Sequence, residues 1–166
     1  MRRITSLVLT IGLAVTAATS HAQDTAETKK PDISPQQQKL NALFEEKMSG
    51  VRLVGSFTIL GKDDALKKEA YEIKKVSKLP DGDYWLFQTR IVYGNKDVTL
   101  PLPLEVKWAD TTPVITLTNV AIPGLGTFSS RVLIYKDKYA GTWTHGEVGG
   151  HLFGTIEKIA ADQEEK

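Results

Sequence analysis

The sequence contains no cysteine among its 166 residues. No disulfide can form even in an oxidising compartment, so the fold must be stabilised by a hydrophobic core. The absence of cysteine also excludes a thiol nucleophile, and it argues against a lipid-anchored lipoprotein. One chain of this length is enough for a single domain with a sizeable core.

Recognisable catalytic motifs are missing as well. The chain has no Gly-x-Ser-x-Gly elbow, no His-Glu-x-x-His pair and no phosphate-cradling loop. Only three histidines occur in the whole chain. These absences favour a non-enzymatic protein, and the sequence predicts no cofactor.

The chain also lacks an excess of charge of either sign. It carries 21 basic and 20 acidic side chains, and loss of Arg2 and Arg3 with a cleaved leader would leave the two signs nearly balanced. The lysine pairs at 67–68 and 74–75 stand among acidic residues, which is typical of a solvated strand face. These features argue against a nucleic-acid partner.

The one long hydrophobic run lies at the N terminus. Two arginines precede an apolar segment at residues 7–18, which is too short to span a bilayer, and a small-x-small cleavage site ends at Ala22. We therefore predict a signal peptide over residues 1–22, a flexible linker over 23–33, and export to the periplasm or the cell exterior.

An amphipathic helix is expected at the start of the folded domain, which we place at residues 34–160 before a disordered tail at 161–166. Ser34 is a good N-cap, Pro35 suits the first helical position, and Gln37 completes a capping box. One apolar stripe at helical spacing follows, made of Leu40, Leu43, Phe44 and Met48. Because this stripe needs a partner, the helix should lie against a sheet or close one end of a barrel.

Beyond the helix, apolar and polar residues alternate with the period of a β-strand. About eight strands are expected, joined by turns too short for any parallel crossover. The predicted fold class is therefore all-β, an antiparallel meander that forms a barrel or a half-open barrel. We expect a β-bulge at the lysines 74–75 and expect the helix to cover the sixth strand, which is apolar on both faces at 132–135. Charged residues recur along several strands, so a membrane-spanning barrel is disfavoured.

Two prolines mark the fourth strand, where apolar residues alternate most regularly over residues 98–108. Pro101 and Pro103 direct their nitrogens to the same edge, so that edge loses two successive N–H donors. It should be unpaired or loosely paired there, either as a blunted sheet edge or as a gap in an otherwise closed barrel. An exposed edge would suit a protein-interaction or envelope-structural module.

A glycine-rich hairpin at residues 139–159 holds both histidines that lie beyond the leader. A five-residue loop at 146–150 would place His145 directly opposite His151. Two imidazoles near Glu147 would bind zinc or copper, weakly without a third ligand from elsewhere. The alternative is that two polar residues flank an exposed turn.

Aromatic residues at strand spacing form the candidate ligand-binding set. They are Trp85, Phe87, Trp108, Trp143 and Phe153, and the same hairpin register would set the last two opposite each other. An eight-stranded barrel either fills its interior with side chains or holds one small ligand. The favoured partner is a small apolar molecule, and the alternative is that these rings are plain core.

The segments VRLVGSFTI, KDVTLPLPLEVKWA and AGTWTHGEVGGHLFGTIEK resemble those of a group of small exported bacterial proteins of unknown function. That resemblance implies no chemistry. In architecture alone, eight meandering strands with a helix are similar to the calycins, which include the lipocalin-like barrels. The lipocalin Gly-x-Trp lies on the first strand, whereas Gly141-Thr142-Trp143 lies on the seventh, so the likeness implies a barrel and assigns no function.

Overall fold

The computed structural model describes residues 33–62, 66–93 and 95–159. The expected signal peptide, the expected tail and all but the last residue of the expected linker lie outside these residues. The described elements, in chain order, are α1 (Pro35–Met48), β1 (Val51–Phe57), β2 (Lys67–Lys78), β3 (Tyr84–Tyr93), β4 (Lys96–Ala109), β5 (Thr112–Ile122), β6 (Gly126–Tyr135), β7 (Lys138–His145) and β8 (Val148–Lys158).

The eight strands form a closed antiparallel barrel in which each strand pairs with its neighbours in sequence. The first and last strands complete the ring, with register from Val51↔Lys158 to Phe57↔Leu152. The predicted meander is confirmed, and it closes rather than staying half-open. Closure gives the backbone groups of β1 and β8 partners and so removes two sheet edges.

The helix α1 begins and ends where the sequence predicted. Ser34 Oγ accepts a hydrogen bond of 3.2 Å from the Gln37 backbone N–H, which satisfies one of the free donors of the first turn. The Gln37 side chain instead donates to Asn41 Oδ1 at 2.8 Å, so only half of the expected capping box forms. None of the described residues belongs to a helix long and apolar enough to cross a membrane.

The helix closes one end of the barrel. Phe44 meets Trp85 edge-on at 5.0 Å between ring centroids and Trp108 at 5.9 Å. The expectation that the helix covers β6 is wrong, because Leu133 and Tyr135 are 41% and 58% exposed. A helix that caps the barrel end contacts inward-facing residues, and it leaves the outer wall of β6 in solvent.

Both irregularities expected within the strands are present. The register of β2 against β3 shifts between Ile73 and Lys75, which confirms the bulge. Strand β4 pairs with β3 past both Pro101 and Pro103, whereas its described pairing with β5 covers only residues 105–109. The prolines therefore lie beside a gap in a closed barrel.

The hairpin of β7 and β8 differs from the predicted one. His145 and Val148 pair directly across a two-residue turn, and His151 pairs with Thr142. The five-residue loop is wrong because Gly146, at φ +58°, lets the chain reverse at once. The glycines that follow then continue β8, where they gain strand pairing instead of remaining in a loop.

Candidate functional site

A cavity of about 160 Å³ lies inside the barrel. The helix closes one end, and at the other end the cavity reaches Leu125 in the β5–β6 connection and Phe128 on β6. Most of the lining side chains are apolar, including Leu53, Phe57, Phe87, Ile115, Trp143 and Leu152. The inward positions of an alternating strand carry these residues, so the wall of the cavity follows from the strand period.

A few polar side chains also line the cavity, namely Glu69, Tyr71, Thr89, Ser130 and Tyr139. Glu69 carries the one carboxyl group among the lining residues that the structure describes, and none of those residues is basic. Only 5% of Glu69 is exposed. A carboxyl group buried among apolar side chains is costly unless it is hydrogen-bonded.

Two tyrosines satisfy the Glu69 carboxyl group. Tyr71 donates its hydroxyl to Oε2 at 2.8 Å, and Tyr139 donates to Oε1 at 2.9 Å. Burial raises the pKa of Glu69 above its usual value, and the two hydroxyl donors offset only part of that rise. Burial, together with the neighbouring Glu69, also raises the pKa of Tyr139.

The contact between Tyr139 and Glu69 depends on a row of four paired residues on neighbouring strands. Tyr139 on β7 pairs with Gly154 on β8, which pairs with Gly55 on β1, which pairs with Glu69 on β2. A Cβ atom on Gly154 would stand 2.7 Å from Tyr139 Cε1, and one on Gly55 would collide with the Tyr139 hydroxyl. The two glycines therefore leave a trough in which the tyrosine ring crosses two strands.

Trp143, nearer the open end of the barrel, also packs beside a glycine of the neighbouring strand. It pairs with Gly150, and its indole N–H donates to the backbone oxygen of Thr58 at 3.2 Å. A Cβ atom on Gly150 would collide with that same oxygen. Phe57 meets the indole edge-on at 5.6 Å, so the ring that lines the cavity is held from two sides.

The structure divides the five candidate aromatic residues. Phe87 and Trp143 line the cavity. Trp85 and Trp108 pack instead against the helix at the closed end, where they support the cap. Phe153 is 43% exposed and does not line the cavity.

Phe153 faces outward because the turn of the β7–β8 hairpin has two residues instead of the expected five. Trp143 pairs with Gly150, and Phe153 pairs with Ala140, so the expected Trp143–Phe153 pair is wrong. A register shift by an odd number of residues moves every side chain of a strand to the other face. The change from a five-residue to a two-residue turn is such a shift.

The two histidines are separated by the same shift. His145 stacks on Phe128 at 4.6 Å, and its Nδ1 lies 2.9 Å from the Thr127 oxygen. His151 is exposed, with Nδ1 3.4 Å from Thr58 Oγ1. Their expected direct pairing is wrong, and within residues 33–62, 66–93 and 95–159 no group of three His, Cys, Asp or Glu residues is arranged to hold a metal ion.

Neither the carboxyl group nor the two tyrosines of the cavity were predicted as site residues from the sequence. Glu69 follows two lysines and so has the local appearance of a solvated strand face. One signal was available, because Gly55 and Gly154 occupy inward positions inside strands. A glycine there often marks a site that another group approaches closely.

Fold and site together define a closed eight-stranded antiparallel β-barrel with a helix-capped end and a mainly apolar cavity. Comparisons with known proteins add no family to this description, since no protein family, no curated protein and no solved structure matches the chain.

Proposed function

We propose that this protein is an exported, non-enzymatic binding protein that holds one small apolar molecule inside its barrel. The observation that carries the proposal is the mainly apolar cavity of about 160 Å³. A core filled with side chains would leave no such space, since protein interiors contain few voids larger than a water molecule. Apolar cavities of about 150 Å³ stay dry and bind benzene.

The size of the cavity limits the ligand to about the size of one aromatic ring. Drug-sized ligands occupy pockets of about 300–1,000 Å³, which exceeds the space available here. Phe44 and its aromatic neighbours close the helix end, so the ligand enters from the end near Leu125 and Phe128. An approaching ligand then meets Trp143, whose indole fluorescence is a direct probe of entry.

Binding of toluene to the purified protein tests this proposal. We expect saturable changes in the indole signals, and we expect Leu117→Trp to abolish them by filling the cavity that Leu117 lines. Leu133→Trp is the matched control, because Leu133 is 41% exposed on the outer wall, and it should bind as the wild type does. Absence of saturable binding to the wild type, or equal binding by both variants, would contradict the proposal.

Export is supported by the pattern of residues 1–22 and is tested separately. Material collected outside the cytoplasm should begin at Gln23 when its N terminus is sequenced. An intact Met1 in exported material would contradict this part of the proposal.

The alternative, a protein-interaction module that uses a strand edge, has weaker support. The β4–β5 gap leaves residues 96–104 of β4 paired with β3 but without a described partner on the β5 side. However, Pro101 and Pro103 carry no N–H, so this edge offers few donors to an added strand. The cavity therefore carries the proposed function.

A further inference from the structure

The Glu69 carboxyl group is the unusual feature of the cavity. Each of its oxygens accepts one tyrosine hydroxyl, and a carboxylate offers about four acceptor positions. Acceptor capacity therefore remains on this carboxyl group, which lines the cavity. No lysine, arginine or histidine stands among the lining residues that the structure describes, so the described wall of the cavity supplies no cation.

We propose that the ligand carries a protonated amine beside its apolar body and that Glu69 receives this head group. This inference rests on the proposed function, because it specifies the ligand of the same cavity. An ammonium group supplies three donors and the positive charge that the site lacks. Hydrogen bonds between charged partners are shorter and stronger than neutral ones, and the surrounding apolar wall strengthens the attraction further.

The arrangement of the tyrosines favours a charged carboxylate in the bound state. Both hydroxyls already donate to Glu69, so they stabilise its ionised form. The chain holds Tyr139 in this position by means of two glycines that no larger residue could replace without a collision. A cavity for plain hydrocarbons would need neither the carboxyl group nor this construction.

The proposal also excludes the opposite ligand class. A fatty acid or another carboxylate would place a second negative charge beside Glu69 in a site with no described cation, and like charges at such a site repel. The titratable groups that face Glu69 are Tyr71 on its own strand and Tyr139 on β7, while the lining residues of the remaining strands are uncharged. Among the described lining residues, none carries a positive charge that would repel the ligand ammonium group.

Calorimetric titration of the wild-type protein with benzylamine, toluene and benzoate at neutral pH tests the inference, because the three probes share one ring. We expect benzylamine to bind at least about tenfold more tightly than toluene, as one additional charge-assisted hydrogen bond provides, and benzoate to bind most weakly. Toluene binding without preference for the amine would overturn this inference and leave the proposed function intact. No binding of any probe would overturn both.

Substitution of the carboxyl group gives a second measurement. The quantity to compare is the ratio of benzylamine affinity to toluene affinity, which Glu69→Gln should lower at least about tenfold. Glu157→Gln, at an exposed position on β8 away from the cavity, should leave the ratio at its wild-type value. An unchanged ratio in Glu69→Gln would contradict a role for this carboxylate, and if that variant does not fold, the wild-type probe series decides alone.

Discussion

Tyr139 donates a hydrogen bond of 2.9 Å to Glu69, although 70 positions separate the two residues in the chain. The ring reaches its acceptor by crossing β8 and β1, the two strands whose pairing closes the barrel. One side-chain contact therefore joins the last hairpin to the second strand across the point of closure. It also holds the Glu69 carboxyl group in the cavity, a position that no feature of the neighbouring sequence indicates.

Gly154→Ala should destabilise the protein by about 1–3 kcal/mol, the usual cost of overpacking a filled site. The added methyl group would collide with the Val54 backbone oxygen and stand 2.7 Å from Tyr139 Cε1. Urea titration measures the loss. Ala140→Val, which adds carbon at an exposed outer position, is the control and should change the free energy of unfolding by less than about 0.5 kcal/mol. Equal stabilities of wild type and Gly154→Ala would refute the trough.

The stability that Glu69 contributes should depend on pH. Because burial raises the pKa of Glu69 in the folded state, its contribution is fully present below the unfolded-state pKa and is lost as pH rises through the higher folded-state pKa. We expect the free energy of unfolding of the wild type, relative to Glu69→Gln, to fall as pH rises above about 4, the usual pKa of a glutamate side chain. Urea titrations across this range, with exposed Glu157→Gln as control, measure the trend, and a difference that grows with pH would have the wrong sign.

Phe44→Ala should cost about 3–5 kcal/mol of stability, as removal of a buried aromatic ring usually does. Phe44 is 2% exposed and packs against Trp85 and Trp108. Leu43, the preceding residue on the same helix, is 51% exposed, so Leu43→Ala should change stability by less than about 0.5 kcal/mol. If urea titrations give both variants the same small loss, the helix does not seal the barrel end.

Substitution of the histidines should have little effect. His145→Ala and His151→Ala should each change the free energy of unfolding by less than about 1 kcal/mol, because both side chains are exposed. Calorimetric titration of the chelator-treated protein with Zn²⁺ and Cu²⁺ should detect no submicromolar site. Tight binding that strengthens as pH rises and disappears with either substitution would instead show that these residues form a metal site.

The sequence alone determined the elements of the barrel. Ser34 and Pro35 specify where the helix begins, since a cap and a first-turn proline act within a few residues of each other. The strand period identified the eight strands and most of their inward faces. The β2 bulge and the gap beside Pro101 and Pro103 were also predicted correctly, because each depends on local backbone chemistry.

The hairpin register needed the folded structure. The glycines at 146, 149 and 150 are compatible with both a two-residue and a five-residue turn, so the sequence does not distinguish them. Pairing along the full length of β7 and β8 selects the shorter turn. That choice turned Phe153 outward and separated the two histidines, and so removed the basis of the most specific site prediction.

Only tertiary structure decided that the barrel closes, that its interior keeps a cavity, and that Glu69 is buried there. Strand periodicity and capping are set by neighbours in the chain, which the sequence displays directly. Closure depends on pairing between the first and last strands, and the environment of Glu69 depends on a tyrosine 70 positions away. The alternation of apolar and polar residues indicates which side chains face the interior. How residues from all eight strands pack together decides whether those side chains fill it.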